Sequence, residues 1–417
     1  MDYNEAKSYI AGLNSRGISP GLENETELLK SLGNPEQKLN IVHIAGTNGK
    51  GSFGAYLDSI IRTDGASCAR FVSPCVGEYL NTYIINGLPV SQNDFIEALS
   101  KVKSVIEALE KRDIYITSFE AETAVAFLIF LKYNPDYVLL ECGMGGRLDS
   151  TNVIPSPALS VITKISLDHT AFLGDTISKI ASEKAGIIKN NSKVVTTIQT
   201  YEAHKVIKEK CSMQNSDLFI ADEPTDILYS DLYTSFKVGD VTYKTYMLGA
   251  YQPQNAALAI KAAEILNIDS VSIKRGIEQA AWPYRFERIG KFILDGAHNG
   301  DAAKMLAYSL QQYLKDENTA FICACFKDKD YEKIAEYTAH FAKKVYCIKA
   351  PTNRGLDPKI LCDAFKSEGA DACVSQSLEN AINDASSYNN VVIFGTLSIL
   401  YDAKQIILRR KNDETMQ

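Results

Sequence analysis

A lysine enclosed by glycines, directly after an apolar run, is the feature of the sequence most suggestive of chemistry. The apolar residues 41–45 lead into Gly46-Thr-Asn-Gly-Lys-Gly-Ser52, and apolar residues at helical spacing follow from Phe53. A strand, glycine turn and helix in this order present backbone N–H groups at a helix N-terminus, where a phosphate binds. Lys50 would bring a positive charge to the phosphates, and the Ser52 hydroxyl could bind Mg²⁺. The residues predicted to bind a nucleotide here are Thr47, Asn48, Gly49, Lys50, Gly51 and Ser52.

The spacing of this loop differs from the strict P-loop pattern. Only Thr47 and Asn48 separate the first two glycines, and Gly51 stands between Lys50 and Ser52. An ordinary glycine turn between a strand and a helix is the alternative interpretation. Turn geometry alone does not explain a lysine between two glycines, so we favour the phosphate-binding interpretation.

Polar residues end three further apolar runs that are predicted to be buried strands. Ser73 follows residues 66–71, Glu141 ends the run that begins after Asp136, and His169 follows residues 158–165. Ligands of open α/β sheets bind at the carboxyl edge of the strands, so we expect a metal site there. A single histidine is more often structural. Lys184 lies near the end of a predicted helix, where a solvated lysine is the default interpretation.

The remaining pattern predicts an α/β fold in two parts. Residues 17–24 are predicted to form a loop, residues 91–112 and 118–133 two helices with Thr117 as a cap, and residues 214–247 a small antiparallel excursion. Strands and helices alternate again after a linker at 282–287. We therefore predict a P-loop-type, mostly parallel sheet in an ATPase domain (1–287) and a smaller Rossmann-like α/β domain (288–417).

Composition narrows the class of partner. The 417 residues are 46% hydrophobic and carry a formal charge of −7, with no lysine/arginine block that would favour a nucleic acid or an anionic membrane. The longest apolar run, Ala124 to Leu131, is far short of the ~20 residues of a membrane span. The first residues lack an export signal and the nine cysteines lack paired spacing, so we expect a cytoplasmic protein with reduced thiols and a small-molecule substrate.

Taken together, these stretches resemble the folylpolyglutamate synthase/dihydrofolate synthase family of ATP-dependent amide ligases, relatives of the muramyl ligases. The resemblance covers nearly the whole chain. Its most specific elements are Gly46 to Ser52, Phe119-Glu120 with Thr123-Ala124, Glu141 to Asp149, Asp168-His169, Glu183 to Ile187, Gln252 with Asn255, Arg285-Phe-Glu287, Asp295 to Asn299 and Asp328-Lys-Asp330.

The resemblance implies a set of site residues. It implies that Ser73, Glu141 and His169 bind magnesium at a site for two Mg²⁺ ions, and that Lys184 is carbamylated. It implies that Asn255, Arg285 and Asp295 contact ATP. Contacts to the pterin and benzoate groups of a folate or dihydropteroate would fall on Gly21, Leu22, Glu23, Asn24, Thr117, Leu148, Asp149 and Ser150. The other substrate would be L-glutamate, and we expect a monomer.

Three positions depart from the family pattern. The usual Ser-Pro-His is Ser73-Pro-Cys75 here, Gly-x-His-Gln is Gly249-Ala-Tyr-Gln252, and Gly-Ser-Leu-Tyr is Gly395-Thr-Leu-Ser398. These departures concern the selection of pteroate and glutamate rather than the ATP chemistry.

The implied reaction forms an acyl phosphate from a folate-type carboxylate and ATP, which the amine of glutamate then displaces. His298 could stand near the reacting centre after domain closure, although a structural hydrogen bond is an equal alternative. Two other functions remain open at this point. One is a muramyl-type ligase, and the other is a non-catalytic nucleotide- or folate-binding relative.

Overall fold

The computed structural model describes residues 1–17, 21–314 and 318–416, and these residues pack as two units. Residues 18–20 of the predicted loop 17–24 lie outside the described residues. The first unit contains Met1–Ile165, Asp175–Glu223 and Asn255–Gln279. The second contains Ser166–Gly174, Pro224–Gln254 and Ala280–Gln417.

The bounds of the elements are as follows. The strands are β1 (Ile41–Ala45), β2 (Cys68–Phe71), β3 (Tyr83–Ile85), β4 (Leu88–Pro89), β5 (Tyr137–Glu141), β6 (Leu159–Ile162), β7 (Lys193–Thr196), β8 (Asp217–Ile220), β9 (Thr225–Tyr229), β10 (Thr234–Val238), β11 (Val241–Thr245), β12 (Glu287–Ile289), β13 (Phe292–Leu294), β14 (Thr319–Cys323), β15 (Lys344–Cys347), β16 (Ala372–Val374) and β17 (Asn390–Phe394). The α-helices are α1 (Tyr3–Leu13), α2 (Glu23–Ser31), α3 (Lys50–Thr63), α4 (Gln92–Glu110), α5 (Ser118–Tyr133), α6 (Thr170–Leu173), α7 (Ile177–Ala185), α8 (Tyr201–Met213), α9 (Gln252–Ile265), α10 (Ser270–Gln279), α11 (Gly300–Tyr313), α12 (Tyr331–Thr338), α13 (Pro358–Ser367), α14 (Leu378–Asp384) and α15 (Leu400–Met416).

A mostly parallel sheet organises the first unit. Its described strands follow the order β4-β3-β2-β5-β1-β6-β7-β8, and only β3 and β4 run antiparallel to their neighbours. The central strand β1 is buried along its length, as expected for a strand covered on both faces. In register, Ile44 lies opposite Glu141, so the phosphate loop after β1 and the end of β5 emerge at the same edge.

The two antiparallel strands form a tight hairpin that the sequence analysis did not predict. Asn86 and Gly87 connect β3 to β4, and their φ angles are 50° and 81°. Two positive φ angles are what a type I′ turn requires, and Asn-Gly is its preferred pair. The Asn86-Gly87 dipeptide therefore could have predicted a hairpin at this edge of the sheet.

The helices that cover the first sheet confirm the predicted pattern. α4 and α5 occupy 92–110 and 118–133, within the predicted ranges, and they pack together over a buried apolar cluster. Thr117 caps α5 through a capping box, in which its hydroxyl accepts the N–H of Glu120 and the Glu120 carboxylate accepts the N–H of Thr117.

The second unit contains two sheets within the described residues. One follows the order β12-β13-β17-β14-β15-β16 and is parallel except for β12, and the other is the antiparallel sheet β11-β10-β9. The antiparallel excursion predicted for 214–247 begins later than expected, because β8 pairs in parallel with β7 of the first sheet. The predicted domain boundary at 287/288 falls inside β12, whereas by packing the C-terminal segment of the second unit begins at Ala280.

Two further features of the described structure are the state of its cysteines and the composition of its helices. All nine cysteines are free, and Cys323 and Cys325 are buried at the end of β14. Within the described ranges, no helix combines the length and apolar composition needed to cross a membrane.

Candidate active site

The phosphate loop joins β1 to α3 and contains two glycines whose backbone lies close to side chains of other segments. Gly49 precedes the first turn of α3 with a φ of 94°. A side chain at Gly46 would overlap Thr163 Oγ1, and one at Gly49 would overlap Asn255 Oδ1. These glycines are needed because neighbouring groups approach the backbone closely. The second contact places Asn255, a predicted ATP contact, beside the loop.

The backbone N–H groups of the loop divide into two sets. Those of Thr47 and Asn48 donate to the carbonyl oxygen of Lys164, at 2.9 and 3.2 Å. The first N–H groups of an α-helix have no acceptor within the helix, so the start of α3 is the kind of place where an anion binds. The phosphate-binding N–H groups are thus expected at residues 49–52 rather than across the whole predicted loop.

Two lysines and one glutamate surround the start of this loop. Lys50 Nζ and Lys184 Nζ both donate to the Gly46 carbonyl oxygen, at 3.2 and 2.9 Å. Lys50 Nζ also lies 3.9 Å from Glu141 Oε1. Lys184 is only 4% exposed, so its default interpretation as a solvated lysine is wrong. The arrangement concentrates positive charge beside helix N–H groups, which suits a polyphosphate.

The predicted metal ligands are distributed over both units. Ser73 follows β2 and Glu141 ends β5, and these adjacent parallel strands place both residues at one edge of the first sheet. His169 lies in the segment 166–174, which packs with the second unit, and its N–H donates to Asp168 Oδ1 at 2.8 Å. Among the residues described, no three His, Cys, Asp or Glu side chains form a cluster able to hold a metal.

Magnesium nevertheless fits the donors at this edge. Mg²⁺ keeps several waters and usually binds through one or two carboxylates together with substrate phosphates, so a complete protein cage is not required. The buried carboxylate of Glu141, the Ser73 hydroxyl and the Ser52 hydroxyl at the start of α3 are oxygen donors of the kind it prefers.

The predicted substrate residues form one neighbourhood in the first unit. α2 packs against α5 and against the 3₁₀ helix Ser150–Val153. Asn24 Nδ2 donates to the Tyr115 carbonyl oxygen at 3.3 Å, two residues before Thr117. Leu148 is 36% exposed, whereas Asp149 is buried and accepts the N–H of Met144 at 2.8 Å.

A buried glutamate next to these residues was missed by the sequence analysis. Glu25 is fully buried on α2, and within the described structure neither of its carboxylate oxygens has a hydrogen-bond partner. Burial raises the pKa of Glu25 well above its usual value, and the nearby Glu120, Glu36 and Asp149 raise it further. Glutamate on an otherwise apolar helix face is a weak sequence signal, because most such residues are solvated.

The predicted ATP contacts Arg285 and Asp295 are neighbours in the second unit. A side chain at Gly296 would overlap Arg285 Nη1. Asp295 Oδ2 accepts the Tyr251 hydroxyl at 2.7 Å and the Phe286 N–H at 2.9 Å, while Oδ1 accepts the Ala297 N–H at 2.8 Å. Burial raises the pKa of Asp295, and the bonds from Tyr251 and the backbone oppose that shift. Tyr251, which departs from the family pattern, therefore has a defined partner.

Tyr251→Phe is expected to destabilise the protein by about 1–3 kcal/mol, because a buried carboxylate would lose a donor without gaining water. Urea unfolding at neutral pH measures the change. Tyr246→Phe is the matched control, since Tyr246 is 49% exposed and should change stability by less than about 0.5 kcal/mol. Equal stabilities of Tyr251→Phe and the wild type would show that the hydrogen bond contributes nothing.

A buried ion pair in the second unit, not predicted from the sequence, holds Asp168. Lys329 Nζ donates to Asp168 Oδ1 at 2.5 Å and Asn299 Nδ2 to Oδ2 at 3.0 Å, with His298 Nε2 3.5 Å from Oδ2. Burial raises the pKa of Asp168, but His298 and Lys329 outweigh it and hold that pKa well below its usual range. His298 also donates from Nδ1 to the Gly296 carbonyl oxygen at 2.8 Å, which is the structural role considered for it.

Comparison with known proteins identifies two domains in the chain. The Mur ligase middle domain matches residues 44–263, and the Mur ligase glutamate ligase domain matches residues 284–396. The first match includes the phosphate loop, Glu141 and Lys184, and the second includes Arg285, Asp295 and the parallel sheet of the second unit.

Individual relatives match over the full length. The dihydrofolate synthase/folylpolyglutamate synthase of Bacillus subtilis strain 168 is 33% identical over 426 residues, which cover 97% of this chain and 98% of the relative. The crystal structure of Thermotoga maritima folylpolyglutamate synthase is 29% identical, with a TM-score of 0.82 over 97% of this chain and 96% of that one. A complex of FPGS with AMPPCP is 27% identical, with a TM-score of 0.84 over 98% and 100% of the two chains. The predicted α/β fold class is thereby confirmed.

Proposed function

This chain belongs to the folylpolyglutamate synthase/dihydrofolate synthase family of Mur ligases, and we propose that it joins L-glutamate to folates in an ATP-dependent amide ligation. The observation that carries the proposal is the group of Lys50, Lys184 and Glu141 at the phosphate loop. A non-catalytic nucleotide-binding protein could use the lysines to hold phosphates, but it has no need for a metal-binding carboxylate beside them. The AMPPCP complex of a relative supports a nucleoside triphosphate analogue as a ligand of this kind of protein.

The reaction requires activation of a carboxylate, because an ionised carboxylate does not react with an amine in water. A carboxylate oxygen of the folate attacks the γ-phosphorus of ATP, forming a C–O–P linkage and releasing ADP. The amine of glutamate then attacks the acyl carbon, the C–N bond forms, phosphate leaves and the amine gives up a proton. Negative charge gathers on the transferred phosphoryl group, and Lys50 with the N–H groups of residues 49–52 would stabilise it.

Magnesium would be held by Ser52, Ser73 and Glu141, and His169 stays a ligand that the family resemblance implies. Bound there, the metal would supply positive charge to the phosphate oxygens. The position of Glu141, 3.9 Å from Lys50 Nζ, supports a carboxylate that serves both the lysine and a metal–nucleotide complex.

Carbamylation of Lys184 is the third part of the proposal. The neutral amine would attack carbon dioxide, forming an N–C bond and losing a proton, so that a cation becomes an anion. Lys184 shares the Gly46 carbonyl oxygen with Lys50, and two ammonium groups at one oxygen repel each other. A carbamate would replace that repulsion with attraction and would favour a nearby divalent cation.

We further propose that the enzyme accepts both dihydropteroate and tetrahydrofolate. The B. subtilis relative is named for two activities, dihydrofolate synthase and folylpolyglutamate synthase, which supports a bifunctional enzyme. The test offers purified protein, with ATP and Mg²⁺, dihydropteroate, tetrahydrofolate or a muramyl peptide precursor, each with and without L-glutamate. We expect each pterin acid to gain one glutamyl unit by mass only when glutamate is present. Lys50→Ala protein in the same mixtures is the control for contaminating ligases.

Other outcomes assign the activity differently. A glutamyl gain on one pterin acid alone would make the enzyme monofunctional. Turnover of the muramyl precursor, with neither pterin used, would overturn the folate assignment. Tight ATP binding without turnover of any acid would favour a binding role. The monomeric state and the cytoplasmic location stay predictions.

A further inference from the structure

A line of buried hydrogen bonds runs from β1 to Asp149 inside the first unit. His43, the middle residue of β1, lies with Nε2 2.9 Å from Thr151 Oγ1. Thr151 Oγ1 lies 2.6 Å from Asp149 Oδ1, which also accepts the Thr151 N–H at 3.1 Å. His43 and Thr151 are 0% exposed, so water cannot take the place of either partner. The strand that leads into the phosphate loop is thus bonded to a predicted substrate residue.

The donors and acceptors in this line can be assigned from their chemistry. An ionised carboxylate only accepts, so the single hydroxyl proton of Thr151 goes to Asp149. Thr151 Oγ1 must then accept from His43, which requires the proton of the neutral imidazole to be on Nε2. In agreement with this assignment, His43 Nδ1 is buried without a hydrogen-bond partner in the described structure. In this tautomer Nδ1 carries a lone pair and no proton.

The protonation states of His43 and Asp149 agree with this assignment of donors and acceptors. Burial lowers the pKa of His43 to about 3, with a smaller effect from Lys189, so the ring is neutral at physiological pH. Burial raises the pKa of Asp149, and the bonds from Thr151 and from the Met144 N–H oppose that rise. The hydrogen bonds therefore stabilise the ionised carboxylate where the surroundings disfavour it.

A reactive Cys142–His43 pair is an alternative role for these buried residues. Cys142 Sγ lies 3.2 Å from His43 Nε2. Burial raises the pKa of the Cys142 thiol and lowers that of His43, which is the opposite of a thiolate–imidazolium pair. The cysteine is also only 1% exposed. Cys142 and His43 are therefore unsuited to a nucleophilic role.

We propose that His43 and Thr151 are positioning residues, which fix the orientation of the Asp149 carboxylate so that it can bind the pteridine-type group of the acid substrate. The inference rests on the proposed function and on the contact between Asp149 and that substrate, which the family resemblance implies. His43 sets the rotation of the Thr151 hydroxyl, which otherwise could turn toward Cys142 Sγ, 3.4 Å away. With the hydroxyl in this orientation, Asp149 Oδ1 accepts from the hydroxyl and the N–H of Thr151. Asp149 Oδ2 accepts from the Met144 N–H.

The test compares Thr151→Val, which removes the hydroxyl at similar volume, with Thr151→Ser, which keeps it. Steady-state kinetics with dihydropteroate and tetrahydrofolate give KM for the acid, KM for ATP and kcat. We expect Thr151→Val to raise KM for the acid by about 10-fold to 100-fold, the loss typical of a hydrogen bond to a charged group, with KM for ATP within about 2-fold. Thr151→Ser should restore most of the affinity.

His43 supplies an independent pair of variants should Thr151→Val fail to fold. His43→Gln keeps an N–H donor and His43→Leu does not, so only the leucine variant should raise KM for the acid. Asp149→Asn serves as the reference for loss of the carboxylate. If Asp149→Asn raises KM for the acid while Thr151→Val and His43→Leu do not, the positioning role is refuted and the proposed function stands. If the wild type uses neither pterin acid, the proposed function itself fails.

Discussion

Lys50→Ala is expected to lower ATP-dependent phosphate release by about 10²-fold to 10³-fold, the loss typical of removing one charge-stabilising donor from an active site. The lysine ammonium lies 3.2 Å from the Gly46 carbonyl oxygen and 3.9 Å from Glu141, at the N-terminus of α3. Alanine keeps the helix propensity at this position, so the fold should remain intact. Phosphate release in the presence of the acid substrate and glutamate measures the change.

Lys101→Ala is the matched control for that variant. Lys101 forms an exposed i,i+4 ion pair with Glu97 on α4, and its side chain is 61% exposed. Loss of such a pair changes stability by only about 0.3–0.5 kcal/mol, so activity should equal that of the wild type. A folded Lys50→Ala protein with wild-type turnover would remove the phosphate loop from the mechanism.

Lys184→Ala is expected to reduce turnover to a similar extent, about 10²-fold or more, because the site would lose the anionic carbamate proposed at this position. The carbamate itself can be observed separately from activity. Wild-type protein equilibrated with carbon-13 bicarbonate and Mg²⁺ should show a carbamate carbon resonance that is absent from Lys184→Ala.

Lys189 provides a matched control for the modification. It follows the same helix α7, its ammonium donates to the Asn152 carbonyl oxygen at 2.9 Å, and burial lowers its pKa. It has no lysine partner at that oxygen among the contacts described. Lys189→Ala should therefore retain the carbamate resonance. A resonance that survives in Lys184→Ala, or that is lost only with Lys189, would contradict carbamylation of Lys184.

Much of the local structure was predictable from the sequence alone. The apolar run before Gly46, the helical spacing after it and the Thr117 cap each lie within a short segment, and such segments carry their own periodicity and capping signals. The two helices over 91–112 and 118–133 were found for the same reason. The antiparallel excursion was placed too early, because alternation of apolar and polar residues does not show which sheet a strand joins.

Only the tertiary structure decided which distant side chains meet. Lys184 and Gly46 are 138 positions apart, and the packing of α7 in the first unit buries an ammonium that the sequence alone presented as solvated. The Lys164 carbonyl oxygen takes the N–H groups of Thr47 and Asn48 because the segment after β6 runs beside the loop. Likewise, β1 places His43 against Thr151. Residue type determined what each group could donate or accept, whereas the packing of whole strands and helices determined which partner it received.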